Sequence, residues 1–236
     1  MDARHYLLVD DNRPFADNLA EILRDLGADA TVVESGQEAL GAVRQTRFSA
    51  VLTDMRMPNM GGAAVVHALR KVDPELPAIA ITAYSGDAEL GRALREGLLA
   101  VLPKPVPIQG LLAQLSVARR GGLVALVEDD PSLSENLVEA LRERGFAAVT
   151  AASVLETEQL ATVRLCAALV DLRVPGGADG TALARLRERH PQVPVLVITA
   201  HADALPTISG ATVFRKPFHT EALLRALEAL WRAGRQ

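Results

Sequence analysis

The sequence is poor in residues that whole classes of protein require. Cys166 is the single cysteine among 236 residues, so no disulfide and no cluster of thiolate ligands forms within one chain. Aromatic residues make up only 3% of the chain, whereas the hydrophobic fraction is 49%. The cores must therefore be packed largely from aliphatic side chains.

Long apolar runs and an excess of basic residues are also missing. No run approaches the roughly 18 residues of a membrane span, and the first nine residues lack the features of a signal peptide. The formal net charge is -4, which does not favour binding to nucleic acid. We therefore expect a cytoplasmic protein with no membrane insertion and no direct nucleic-acid partner.

Short runs of small and β-branched apolar residues alternate with amphipathic helical patterns along the chain. The run at residues 50–54 is bounded by turn-forming residues and ends in Asp54, and a loop with Pro58, Gly61 and Gly62 follows it. Such runs are typical of buried strands. Five alternations of strand and helix predict a parallel sheet with helices on both faces.

The same pattern of residues occurs twice along the chain. Asp10 recurs as Glu128 at an offset of 118 residues, and Asp54 recurs as Asp171 at an offset of 117. The pair Thr82 and Thr199 also has an offset of 117, and the pair Lys104 and Lys216 has 112. Four chemical positions in the same order indicate a duplicated domain. We predict domains at residues 1–119 and 123–236, joined by a solvated linker at 120–122.

In each repeat the polar residues follow strands one, three, four and five, at the edge where open parallel sheets form their sites. Carboxylates this close together repel one another unless a cation lies among them. Oxygen ligands without histidine or cysteine suit Mg²⁺, which shares its coordination with phosphate. A lysine and a threonine hydroxyl complete a site for phosphorylation of an aspartate.

These motifs resemble the receiver domain of two-component response regulators. The first set is Val9-Asp10-Asp11, Asp54 with Met57-Pro58, Thr82-Ala83 and Lys104-Pro105. The second set is Val127-Glu128-Asp129, Asp171 with Val174-Pro175, Thr199-Ala200 and Lys216-Pro217. The resemblance covers almost the whole chain. It implies an α/β fold of two flavodoxin-like (βα)5 doubly wound domains, each with a five-stranded parallel sheet in the order 2-1-3-4-5.

The resemblance also implies a role for each site residue. Asp54 and Asp171 are the expected phosphoacceptors, and the expected contacts to the phosphoryl group come from Thr82, Lys104, Thr199 and Lys216. The expected Mg²⁺ ligands are Asp10, Asp11, Asp54 and the backbone carbonyl of Arg56, and in the second domain Glu128, Asp129, Asp171 and the backbone carbonyl of Arg173. The peptide bond before Pro105 is expected to be cis. The implied partners are a sensor histidine kinase or a histidine phosphotransfer protein, and a downstream protein target.

The sequence departs from the family in two ways. The aromatic residue usual three positions before the lysine is replaced by Val101 and Val213, and Phe214 is expected to point to the opposite face of its strand. Only about ten residues, 201–210, separate the last two strands of the second domain, and Pro206 lies among them. We therefore predict a shortened fourth helix there. Any homodimer is expected to form through the first domain.

Two other functions remain open. A phosphatase that forms an aspartyl phosphate needs a second aspartate two residues after the nucleophile, but Arg56 and Arg173 occupy those positions. The protein is therefore not expected to be an enzyme, apart from its own phosphorylation and dephosphorylation. Alternatively, the second domain is a binding module that is not phosphorylated. Glu128 and the short segment at 201–210 make that domain the better candidate for this role.

Overall fold

The computed structural model describes residues 4–83, 97–200 and 211–234. The chain divides into two compact units, Met1–Gly121 and Gly122–Gln236. Each unit contains one five-stranded sheet. Among the described residues, no helix is both long enough and apolar enough to cross a membrane.

The first unit is an alternation of strands and helices. Its strands are β1 (His5–Val9), β2 (Asp29–Val33), β3 (Ala50–Asp54), β4 (Ala78–Thr82) and β5 (Ala100–Pro103), and its described helices are α1 (Arg13–Asp25), α2 (Gly36–Gln45), α3 (Gly62–Val72) and α4 (Ile108–Val117). All strand pairs are parallel, in the order β2-β1-β3-β4-β5. The predicted fold and strand order are confirmed.

Both faces of the first sheet are buried because its strands are apolar at nearly every position. Along β1, Leu7 and Val9 pack into one core with α2 and α3, whereas Tyr6 and Leu8 pack into another with α1 and α4. This alternation follows from the two-residue period of a strand. Helices on both faces leave the carboxyl ends of the strands as the edge where polar side chains can gather.

The second unit repeats this plan. Its strands are β6 (Leu123–Val127), β7 (Ala147–Ala151), β8 (Ala167–Asp171), β9 (Val195–Thr199) and β10 (Thr212–Arg215), and its described α-helices are α5 (Pro131–Glu143), α6 (Thr181–Arg189) and α7 (Thr220–Ala233). The parallel order is β7-β6-β8-β9-β10, which matches the first sheet. Asp130 is the N-cap of α5, and Pro131 is its first residue, a position that proline favours.

The second unit differs where the first has α2, because it forms only a 3₁₀ helix, Glu156–Thr162. Both segments carry the same Ser-x-x-Glu exchange of hydrogen bonds. The N–H of Glu38 donates to the Ser35 hydroxyl and the N–H of Glu156 to the Ser153 hydroxyl, while each glutamate accepts the backbone N–H of the residue before its serine. The Thr157 hydroxyl donates to the Val154 carbonyl oxygen at 2.6 Å, a local bond that competes with α-helical pairing. The second strand of this unit is therefore followed by a 3₁₀ helix rather than an α-helix, within the predicted fold.

A close approach between two loops is built differently in the two units. In the first unit, a Cβ added to Gly36 would lie 2.6 Å from Met60 Sδ. In the second unit, Val154 supplies the bulk and Gly176 faces it. The glycine at this contact thus follows the second strand in the first unit and the third strand in the second unit. Asn59 and Gly176 occupy matching loop positions with positive φ values of 67° and 97°, which asparagine and glycine tolerate best.

The predicted solvated linker is wrong at Arg120. Its guanidinium donates to both carboxylate oxygens of Asp73, at 2.8 and 2.6 Å, and to the carbonyl oxygen of Phe48. The next residue, Gly121, donates its backbone N–H to the Glu75 carbonyl oxygen at 2.8 Å. Hydrogen bonds therefore hold residues 120 and 121 to the first unit, and α4 ends at Val117.

The helix predicted between the fourth and fifth strands of each domain, at residues 87–96 and within 201–210, lies outside the described residues. The shortened helix of the second domain and a homodimer through the first domain stay predictions. Phe214 and Val213 pack into different cores on opposite faces of the second sheet, as expected. The Lys104–Pro105 and Lys216–Pro217 peptide bonds are both cis. Burial raises the pKa of the Cys166 thiol to about 12.

We predict that Arg120→Ala destabilises the first unit by about 2 kcal/mol, because it leaves Asp73 without a charge-assisted partner in a site only 17% exposed. The measurement is urea unfolding of the full chain, followed by circular dichroism. Trp231, the single tryptophan, packs on Phe146 in the second unit and reports unfolding of that unit. Its fluorescence transition should not move, and Arg120→Lys should recover only part of the loss. An unchanged circular dichroism transition would contradict a stabilising role for the Arg120–Asp73 pair.

Candidate functional site

Strand register brings the acidic residues of the first unit together. Val9 of β1 pairs with Thr53 of β3, so the residues that follow, Asp10 and Asp54, emerge side by side at the carboxyl edge. On the other side of β3, Thr82 of β4 pairs with Pro103 of β5. The backbone N–H of Lys104 then donates to the Thr82 carbonyl oxygen at 2.9 Å. Residues almost a hundred positions apart thereby share one edge.

The Lys104 ammonium is the centre of the first site. Its Nζ lies 2.7 Å from Asp10 Oδ2 and 2.6 Å from Asp54 Oδ2, and 4.4 Å from the centre of the Phe15 ring. The other oxygens of both carboxylates accept backbone N–H groups, from Asn12 at 2.9 Å and from Arg56 at 3.0 Å. Two carboxylates are thus held in place by one lysine and by the loops that follow β1 and β3.

Burial sets the charge balance of this site. Desolvation raises the pKa of Asp10, although hydrogen bonds from Lys104 and Asn12 oppose the shift. For Lys104, burial lowers the pKa, but hydrogen bonds and charge from Asp10 and Asp54 outweigh it and leave the pKa raised. The lysine therefore stays charged, while ionised Asp10 is costly to bury. A further cation among the carboxylates would relieve that cost.

The donor set fits a hard divalent cation. Asp10, Asp11 and Asp54 each offer a carboxylate oxygen, and these atoms all lie within 4.8 Å of one another. Asp10 is buried, Asp54 is half-buried and Asp11 is exposed, so an ion held here would keep water ligands. Oxygen-only ligands and retained waters are what Mg²⁺ prefers. The structure therefore assembles the three predicted acids, whereas the role of the Arg56 carbonyl stays a prediction.

The second site has the same plan with one altered side chain. Val127 pairs with Val170, so Glu128 and Asp171 emerge together. Lys216 Nζ lies 2.6 Å from Asp171 Oδ2 and 3.0 and 2.8 Å from the two oxygens of Glu128. Glu128, Asp129 and Asp171 again offer oxygens within 4.8 Å of one another. Desolvation raises the pKa of Glu128, against opposing hydrogen bonds from Lys216 and Asp130.

The remaining predicted site residues also lie at these edges. Thr82 and Thr199 are 3% and 1% exposed at the ends of β4 and β9. The Lys216 N–H donates to the Thr199 carbonyl oxygen at 2.8 Å, as its counterpart does in the first unit. The Arg173 backbone N–H donates to Asp171 Oδ1 at 2.9 Å. Contacts from the threonine hydroxyls and the Arg173 carbonyl to bound groups stay predictions.

Sequence reasoning missed two contributors. Phe15 packs against the apolar core beside α1, and its ring also covers the Lys104 ammonium. The Arg173 side chain donates to Asp179 at 2.8 Å, across the loop after β8. The only signal for Phe15 was its position one turn beyond the paired acids, which every apolar residue at the start of a helix shares.

The fold and the two sites define a pair of parallel α/β domains, each with paired acids, a third carboxylate, a threonine and a lysine at its carboxyl edge. The family profile described as response regulator receiver domain matches residues 6–116 and 124–228. The chain belongs to this family and consists of receiver domains in tandem, which is consistent with two-component signalling.

The similar proteins include one that matches almost the whole chain and one that matches about half of it. A response regulator receiver protein of Anaeromyxobacter sp. (strain Fw109-5) is 61% identical over 97% of this chain and 96% of its own length. The transcriptional regulatory protein ZraR of Escherichia coli (strain K12) is 36% identical over 48% of this chain, but the match spans only 25% of that protein.

The similar solved structures include the receiver domain of the Pseudomonas aeruginosa PAO1 sensor histidine kinase PA1611, crystallised with a magnesium ion in its active-site cleft. It is 28% identical, covers 48% of this chain and 95% of its own, and gives a TM-score of 0.45. A Burkholderia pseudomallei response regulator with a phosphorylated aspartic acid is 27% identical, covers 48% of this chain and 66% of its own, and gives the same TM-score of 0.45.

Gly62 sets how closely the loop after β3 returns to the first site. A Cβ at this position would collide with the Asp54 carbonyl oxygen and lie 2.9 Å from Met55 Cα. We predict that Gly62→Ala destabilises the first unit by about 2 kcal/mol, because backbone atoms must move. Gly41, also in a helix, has nothing within 4 Å of such a Cβ, so Gly41→Ala should stabilise by roughly 1 kcal/mol. Urea unfolding of both variants measures the contrast, and equal effects would refute it.

We predict that, in the metal-free protein, the stability of Asp10→Asn relative to wild type increases as the pH rises toward neutral. Below the ordinary aspartate pKa of 3.8, the carboxyl is protonated in folded and unfolded states and costs nothing. As the pH rises through 3.8 toward the raised pKa of the folded state, ionisation favours the unfolded chain. The advantage of the variant should therefore grow with pH and then level off. Urea unfolding in chelator across this range measures it, with Asp25→Asn at an exposed position as control. An advantage that shrinks with rising pH would contradict the assignment.

Proposed function

We propose that Asp54 and Asp171 accept phosphoryl groups from a phosphohistidine in a step that requires Mg²⁺, and that the protein signals through protein contacts. The observation that carries this proposal is the lysine bridge in each unit. Lys104 and Lys216 each join the predicted phosphoacceptor to a buried acid of a three-carboxylate cluster. This arrangement places positive charge beside one carboxylate oxygen, at the edge where a transferred group would arrive.

The residues at this edge support transfer of a phosphoryl group from a phosphohistidine to Asp54. One oxygen of Asp54 is held by the Arg56 N–H, and the other, Oδ2, faces Lys104. A carboxylate oxygen forms the new bond to phosphorus as the phosphorus–nitrogen bond breaks, and the departing imidazole takes a proton from solvent. The product is an acyl phosphate. Lys104 neutralises charge that develops on the phosphoryl oxygens, and the Thr82 hydroxyl is proposed to donate to one of them.

The proposed Mg²⁺ ligands are Asp10, Asp11, Asp54 and the Arg56 carbonyl, and in the second unit Glu128, Asp129, Asp171 and the Arg173 carbonyl. When bound, Mg²⁺ supplies positive charge that offsets the crowded carboxylates and the phosphoryl oxygens. The raised pKa of Asp10 and of Glu128, caused first by burial, supports a place for such a cation.

We propose no turnover of a separate substrate, so the protein is not an enzyme beyond its own phosphorylation and dephosphorylation. The phosphatase alternative requires an acid two residues after the nucleophile, where Arg56 and Arg173 lie. A second candidate function is a binding role for an unphosphorylated second domain. The contact of Lys216 with both oxygens of Glu128 favours it, because it ties up an acid that the metal needs.

The proposed phosphodonor is a sensor histidine kinase or a histidine phosphotransfer protein, and the proposed receiver of the signal is a downstream protein. We propose that the protein acts in the cytoplasm, without inserting into a membrane or binding nucleic acid directly. Any homodimer is proposed to form through the first domain.

Intact-mass measurement after incubation with a small phosphodonor and Mg²⁺ tests this proposal on the full chain. Wild type should gain one phosphoryl group at Asp54 and a second at Asp171. Asp54→Asn and Asp171→Asn should each lose one, and chelation of Mg²⁺ should abolish both. Labelling that survives in the double variant would refute the assignment. Loss of label only in Asp54→Asn would leave the second domain as a binding module.

A further inference from the structure

The two lysines are held by different partners. The Lys104 ammonium meets one oxygen of Asp10, one oxygen of Asp54 and the face of Phe15. The Lys216 ammonium meets one oxygen of Asp171 and both oxygens of Glu128. The position that matches Phe15, 118 residues further along, carries Leu133, which has no aromatic face to offer. A carboxylate oxygen in the second unit thus takes the place of a ring in the first.

This difference changes how the buried acid is used. Asp10 divides its oxygens, since Oδ1 accepts the Asn12 N–H at 2.9 Å and Oδ2 accepts Lys104 at 2.7 Å. Glu128 has one more contact, because Oε1 accepts both Lys216 at 3.0 Å and the Asp130 N–H at 3.3 Å, while Oε2 accepts Lys216 at 2.8 Å. Every oxygen of Glu128 therefore faces the ammonium.

A divalent cation must compete for those oxygens. A carboxylate has about four lone-pair sites in all, and Glu128 uses three of them against two in Asp10. Coordination of Glu128 also brings a divalent cation close to the Lys216 ammonium, because both contact the same carboxylate. The Glu128 side chain is 1% exposed and that of Asp10 is 6% exposed, so little water is at hand to replace a broken lysine contact.

From this geometry we infer that the two acidic clusters bind Mg²⁺ with different affinities, and that the Glu128–Lys216 contact makes the second the weaker. This inference rests on the proposed function, in which both clusters are Mg²⁺ sites. It orders the two phosphoacceptors, because Asp54 becomes competent for transfer at Mg²⁺ concentrations that leave most of the second site empty. Loss of one charge-assisted contact corresponds to a difference of about tenfold or more.

Calorimetric titration of the full chain with Mg²⁺ tests the inference without a phosphodonor. Wild type should bind two ions in separate phases at least about tenfold apart in affinity. Asp11→Ala should remove the tighter phase and Asp129→Ala the weaker one, which assigns each phase to a unit. Glu128→Asp should tighten the second phase, because the shorter side chain cannot reach Lys216 with both oxygens while it still reaches the metal.

The reciprocal variant keeps the test decisive if Glu128→Asp fails to fold, as judged by circular dichroism and Trp231 fluorescence. Asp10→Glu should weaken the first phase toward the second. Two equal affinities in wild type, or a tighter phase removed by Asp129→Ala, would overturn the inference and leave the proposed function standing. Mg²⁺ binding that neither Asp11→Ala nor Asp129→Ala reduces would instead refute the metal sites themselves.

Discussion

A lysine ammonium between two carboxylates is the interaction on which each site depends. Without Lys104, the side chains of Asp10 and Asp54 would be like charges at adjacent strand ends, 6% and 13% exposed. The lysine offsets part of that repulsion but leaves the pKa of Asp10 raised, because burial is the larger effect. The site is therefore assembled and incompletely neutralised at the same time. A bound cation would offset the negative charge that remains on the carboxylates, and a phosphoryl group would offset the positive charge of the lysine.

The rest of each unit serves to hold these groups at one edge. Parallel pairing in register makes Asp10 and Asp54 neighbours, and it makes Glu128 and Asp171 neighbours in the second unit. Loops return to the same edge through backbone bonds: Gly62 N–H to Met55 in the first unit, and Gly180 N–H to Leu172 in the second. Helices cover the apolar faces of each sheet, so these polar groups lie at the edge and not on a face.

Because the domain is duplicated, the two units can be compared within one chain. The two units share strand order, the Ser-x-x-Glu exchange and the lysine bridge, yet they differ in the second helix, in the Gly36 and Val154 loop contact, and in the partners of the lysine. Each difference is local and leaves the sheet intact. A fold of this kind tolerates changes at strand ends, because most of its stabilisation comes from apolar side chains of strands that are buried on both faces.

The sequence by itself determined the alternation of strands and helices, the duplication and the set of chemical residues, because buried strands and strand-end acids leave short-range patterns. The order of the strands in each sheet followed from the family resemblance and not from those patterns. Residues such as Asp54 and Lys104 were identified from their positions after apolar runs. Only the tertiary structure decided which atoms meet. Arg120 lies in a segment predicted to be a linker, yet it pairs with Asp73, 47 residues earlier. Phe15 packs against the core beside α1, yet its ring also lies against the Lys104 ammonium. Likewise, Glu128 resembled Asp10 until both of its oxygens were seen on Lys216. Such contacts join distant parts of the chain, and no local pattern encodes a distance between two side chains that only the folded backbone brings together.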